Sequence, residues 1–180
     1  AFKTVRIDEV ALQRHGITME TLDLSDVMRR MRLLKTTDDE FAAKAKTLGA
    51  YTSWDGVPRP SFENVARLGV VLDRIVAEYR LDAIALRCWI ELQQELGVSP
   101  CVLLGEMNDR GVAAACEVDV GNAVVMRALG LASGEPATCL DWNNNYADEP
   151  DKCILFHCGP VPSALMQKGG RITDHAILST

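Results

Sequence analysis

Two short apolar runs, each closed by an acidic residue, constrain this chain more than anything else in it. Val112, Ala113, Ala114, Ala115 and Cys116 precede Glu117, and Ala137, Thr138, Cys139 and Leu140 precede Asp141. One helix-like segment lies between them and stops at Gly134. Strand, crossover helix and strand in that order read as a βαβ unit with parallel strands. Parallel strands place their carboxyl ends on one edge of a sheet, where open α/β folds bind ligands. Neighbouring strands lie about 4.8 Å apart, so Glu117 and Asp141 are expected within about 5 Å of each other. Two carboxylates that close stay ionised at neutral pH only beside a cation, which points to a divalent metal.

Elsewhere helices alternate with strands. Helices are expected from Asp8 to His15, from Asp26 to Leu34 behind Ser25, and from a capping box at Thr37 and Glu40 to Gly49. A loop carries Gly56, Pro58 and Pro60. Ser61 is expected to cap the most regular helix, whose Phe62, Val65, Leu68, Leu72, Ile75, Val76 and Tyr79 recur at helical spacing. A buried strand at residues 82–88, a helix opening at Ser99 and Pro100, and a last strand at residues 153–158 complete the pattern. The fold class is α/β: a doubly wound, mainly parallel sheet flanked by helices. Residues 1–160 read as the sheet domain and 161–180 as a tail, with strand pieces at 171–173 and 176–178. The opening Ala1 and the apolar stretch before Ser179 read as a fragment of a larger protein.

The net charge of −6 argues against a broad nucleic-acid surface, and charge interrupts every apolar stretch before it could span a membrane. Six scattered cysteines inside apolar runs suit a reduced, cytoplasmic core in which they are mostly buried.

Three segments carry chemistry. In the first, Asp119 can cap the helix after Glu117, and Asn122 follows at its start. In the second, Asn143 and its neighbours offer paired donors and acceptors for hydroxyls, while Trp142 and Tyr146 offer flat faces for sugar C–H groups. In the third, Arg87 and Glu91 could reach the same crevice, although a surface ion pair with Trp89 as packing is the better reading. Cys153, His157 and Cys158 lack the spacing of a structural zinc site, so no zinc is expected there and His157 reads as a hydrogen-bonded strand-end residue. His15 and His175 read as solvated. Neither a dinucleotide fingerprint nor a P-loop occurs.

Residues 88–92, 100–122 and 139–162 resemble the L-fucose/L-arabinose isomerase family, and particularly its fucose-isomerase-like group. An acidic residue at a strand end, Asn122, and a second acidic residue at 141 follow in the family's order and spacing. The resemblance implies the middle domain of a three-domain, homo-oligomeric enzyme, with Glu117 and Asp141 as Mn²⁺ ligands and as the acid/base pair. Mg²⁺ is the other oxygen-preferring choice. It implies an aldose–ketose isomerase, an intramolecular oxidoreductase of carbohydrate metabolism working through an enediol or enediolate. The family's third ligand, a histidine from the C-terminal domain, has no match here, so this segment alone is expected to be inactive. Arg87, Trp89, Glu91, Asn122, Trp142 and Asn143 are the candidate substrate contacts. A non-catalytic sugar- or metal-binding α/β module stays open as the alternative, and an α/β oligomerisation domain is a third reading.

Overall fold

The longest apolar stripe builds the largest element. Helix α4 (Arg59–Tyr79) buries Val65, Leu68, Val71, Leu72 and Ile75, and its last turn is closed by Arg80 in the left-handed conformation. The helix begins two residues before the expected cap: Pro58 is the N-cap, and Ser61 is a buried residue of the first turn. Proline suits that turn because its missing N–H has no partner to lose there. The computed structural model describes residues 3–167 and 170–172. His175 and the expected strand piece at 176–178 lie outside them.

Before α4 come α1 (Glu9–Arg14), α2 (Leu24–Leu33) and α3 (Asp39–Tyr51). Asp8 caps α1, accepting from the N–H of Ala11. Helix α2 is capped by Asp23, not Ser25, because the Asp23 carboxylate takes the Ser25 N–H at 2.7 Å. Helix α3 runs through Gly49 to Tyr51, where Trp54 Nε1 donates to the carbonyl of Leu48 at 2.8 Å. An ion cluster ties α3 to α4 and α6 (Cys101–Asp109): buried Lys44 meets Asp73 at 2.6 Å and Glu106 at 3.5 Å. Gly69 leaves room for this crossing, since a Cβ there would sit 2.9 Å from Lys44 Cδ.

Strands β1 (Ala83–Ala85) and β2 (Ala113–Ala115) pair in parallel, Ala83 opposite Ala113 and Ala85 opposite Ala115. Helix α5 (Glu91–Leu96) and α6 cross between them. Alternation then divides the faces. Ile84, Leu86, Ala114 and Cys116 belong to the main core with α4 and α6, while Ala83, Ala85, Ala113 and Ala115 pack against Ala123 and Met126 of α7 (Val120–Ser133). Helices thus cover both faces of a small parallel sheet, and the α/β class holds.

The βαβ unit expected around Glu117 and Asp141 does not form. Residues 137–140 are not a strand, and β3 (Asp141–Tyr146) instead pairs antiparallel with β4 (Glu149–Phe156), Asp141 opposite Phe156. The physical reason is Asn108. Its side chain accepts from Ala114 N–H at 2.8 Å and donates to Ala114 C=O at 3.0 Å. One amide therefore takes both hydrogen-bonding groups that β2 turns away from β1. The hairpin stands out from the body, and Trp142 in it is 78% exposed. Beyond it, Thr138 Oγ1 donates to Pro160 C=O at 2.8 Å, and Ser163 N–H donates to Asp109 at 2.7 Å. Arg171 bridges in parallel to Ser53 within the chain.

Candidate metal and sugar site

The chain leaves β2 through a strained turn. Glu117 has φ 61° and Val118 φ 59°, both left-handed. For a β-branched residue this is a genuine outlier, costing about 1–3 kcal/mol, and such strain clusters at functional sites. The turn is held by Val118 N–H donating to Leu86 C=O at 3.2 Å and Asp119 N–H donating to Cys116 C=O at 2.9 Å. Asp119 then caps α7, taking the Asn122 backbone N–H at 2.9 Å and its Nδ2 at 2.6 Å.

This turn sends Glu117 into a cleft of about 260 Å³, which Asp141, Asn122, Cys116, Cys139 and His157 also line. The two carboxylates singled out from the sequence thus share one cleft, though Asp141 arrives there on the hairpin and not on a strand beside β2. Glu117 Oε1 accepts from Trp89 Nε1 at 3.0 Å, which leaves Oε2 for another partner. Carboxylate oxygens suit an oxygen-preferring divalent ion, but Asp141 is not among the donors gathered within 4.8 Å of one another around Glu117.

Arg87, Glu91, Trp142 and Asn143 are not in this cleft. Arg87 Nη2 pairs with Glu91 at 2.6 Å on the surface. Hydrogen bonding to backbone N–H groups, with the Arg87 charge, holds the Glu91 carboxyl below the usual range. Asn143 sits at a bulge between the Trp142–Leu155 and Asn144–Ile154 pairs.

His157 follows the last residue of β4 and is hydrogen-bonded there, as its sequence context suggests; its place in the cleft beside Cys116 and Glu117 is what sequence reasoning missed. Its Nδ1 donates to the Cys139 carbonyl at 2.9 Å, so Nε2 presents its lone pair to the Cys116 thiol at 3.4 Å. Gly159 allows this packing, because a Cβ there would fall 2.5 Å from the imidazole. Reading residues 141–156 as a hairpin would have found the arrangement, since pairing Asp141 with Phe156 sets His157 beside the residues before Asp141. The Cys101 and Cys88 thiols, and then burial, push the Cys116 thiol far above its usual value. Burial, followed by the charges of Asp119 and Asp141, raises Cys139. Only Cys88 and Cys116 are buried; Cys153 and Cys158 are exposed, because they ride on and beside the projecting hairpin.

No family model matches the chain. It is similar to isomerases. It is 24% identical over 149 residues to the sulfoquinovose isomerase of Priestia aryabhattai, an alignment covering 80% of this chain and 32% of that protein. It is 27% identical over 167 residues to the sulfoquinovose isomerase of Clostridium sp. (strain MSTE9), covering 88% and 35%. The chain therefore spans about a third of the length of the curated relatives it matches. This likeness supports a broad isomerase kinship, coarser than the L-fucose/L-arabinose assignment. No helix among the described residues is long and apolar enough to cross a membrane.

Proposed function

We propose that this chain carries the metal-binding carboxylates of an aldose–ketose isomerase, an intramolecular oxidoreductase related to the L-fucose and L-arabinose isomerases. The observation that carries the reading is the shared cleft of Glu117 and Asp141, in a chain similar along most of its length to isomerases. Glu117 and Asp141 hold the ion, with Mn²⁺ first and Mg²⁺ second because both ligands are carboxylates. A divalent cation bound there supplies Lewis-acid polarisation of the open-chain sugar carbonyl. One of the two carboxylates takes the proton from carbon 2 and returns it to carbon 1 by way of an enediolate, while the other serves the hydroxyls. Trp89 holds Glu117 in position, and Asn122 at the cleft wall is a candidate hydroxyl partner. The substrate is a sugar, and sulfoquinovose, from the relatives' names, heads the panel of aldoses to test. Further ligands and cover come from other parts of a homo-oligomeric, cytoplasmic protein, so the 180 residues alone are expected to be inactive.

The test assays the protein that carries this chain against aldoses, sulfoquinovose included, with Mn²⁺, comparing wild type with Glu117→Gln and Asp141→Asn. Losing a general base costs about 10²–10⁴-fold in rate, and losing the metal adds to it. Excess Mn²⁺ is expected to restore only the binding part. Full activity in either variant would reduce these carboxylates to structural residues. A protein that keeps its sugar after chelation and never isomerises it would be the binding module instead.

A further inference from the structure

The donors at the end of β2 are not the set that an oxygen-preferring cation alone selects. Sγ of Cys116, a carboxylate oxygen of Glu117 and a ring nitrogen of His157 all lie within 4.8 Å of one another. Sγ and Nε2 are 3.4 Å apart. In a tetrahedral zinc site, bonds of about 2.3 Å to sulfur and about 2.05 Å to nitrogen give an S···N edge of about 3.6 Å. That edge is already in place. The outer contacts are also those of a metal site. Nδ1–H is engaged by the Cys139 carbonyl, which turns the Nε2 lone pair inward, and Trp89 holds one Glu117 oxygen while the other stays available.

We infer that Cys116, Glu117 and His157 form a second cation site, for a thiophilic divalent ion with Zn²⁺ first. Zinc accepts sulfur, nitrogen and oxygen together, whereas Mn²⁺ and Mg²⁺ favour oxygen. On binding, the Cys116 S–H proton leaves to water, the S–H···Nε2 hydrogen bond is broken, and sulfur and nitrogen each bond the metal. Three protein ligands leave the fourth position to water. Glu117 belongs to both sites, so the two occupancies exclude each other and Zn²⁺ competes with Mn²⁺. That last consequence alone rests on the proposed isomerase site.

Cobalt reports the site directly, because thiolate ligation gives Co²⁺ a sulfur-to-metal charge-transfer band. Titrating the reduced protein that carries this chain with Co²⁺ is expected to develop the band, with Zn²⁺ displacing the cobalt and excess Mg²⁺ failing to. Cys116→Ser abolishes the band. Because Cys116 is buried, circular dichroism checks that this variant folds, and the half-buried His157 provides a second variant, His157→Gln, which weakens Co²⁺ binding by about 10-fold or more. Asp141→Asn removes a proposed Mn²⁺ ligand but none of these donors, so the band persists there even if isomerisation is lost. Failure of the isomerase reading is thus told apart from failure of this one. Absence of the band in the wild type would overturn the inference. So would a band unchanged in folded His157→Gln, or one lost in Cys88→Ser but kept in Cys116→Ser.

Discussion

The indole N–H of Trp89 donates to Oε1 of Glu117 across 3.0 Å, joining the segment after β1 to the turn after β2. The bond fixes one carboxylate oxygen and so aims the other into the cleft. Trp89→Phe keeps an aromatic ring and removes the donor. Partners of this kind are worth about 10–100-fold in metal affinity, and a loss of that size is expected for Mn²⁺. Electron paramagnetic resonance of free Mn²⁺ during titration measures it; equal affinity would make the indole a packing group only.

Asn108 satisfies both backbone groups of Ala114 in a buried setting. Asn108→Ala strands an N–H and a C=O, each costing about 1–3 kcal/mol. A loss of about 2–6 kcal/mol in urea unfolding is therefore expected. A loss below half a kcal/mol would show that water replaces the amide.

Tyr51 Oη donates to Asp109 at 2.6 Å and accepts from Ser163 N–H at 2.9 Å. Burial and then the Asp109 hydrogen bond raise the phenol well above its usual value. The folded state therefore holds this proton more tightly than the unfolded chain does. Its contribution is complete below the unfolded value of about 10 and is lost as pH rises past it. Tyr51→Phe is expected to lower stability by about 1–2 kcal/mol near neutrality and to flatten the alkaline decline. Parallel alkaline curves for the two proteins would assign that decline to other groups.

Helix α7 could be read in advance because local chemistry marks both its ends, Asp119 accepting from Asn122 and Gly134 in the left-handed conformation. Strand β2 was equally legible as an apolar run ending at an acid. Its partner was not, because pairing is a tertiary choice. Asn108 lies near the end of α6, where nothing local reveals that its amide reaches back to Ala114. Strand β3 was hidden for another reason. Asp141 and the three asparagines after Trp142 are poor strand formers, exposed throughout, and pairing with β4 overrides their propensity. That Glu117 and Asp141 face one cleft was legible from two acids after apolar runs, whereas the place of His157 beside them depended on the hairpin that was not foreseen.

The left-handed pair at Glu117 and Val118 has a consequence for how this region tolerates change. Glycine at 118 would relieve the steric cost, yet it would also widen the range of backbone angles open to the turn. The carboxylate before it would then sample many directions, and each binding event would have to select one again. A β-branched residue forced across the Ramachandran map does the opposite: it is costly to fold but has few other basins to visit once the hydrogen bonds to Leu86 and Cys116 close. Substitutions that make this chain easier to fold at 118 should therefore make its carboxylate less well aimed, so that durability and precision pull against each other at a single residue.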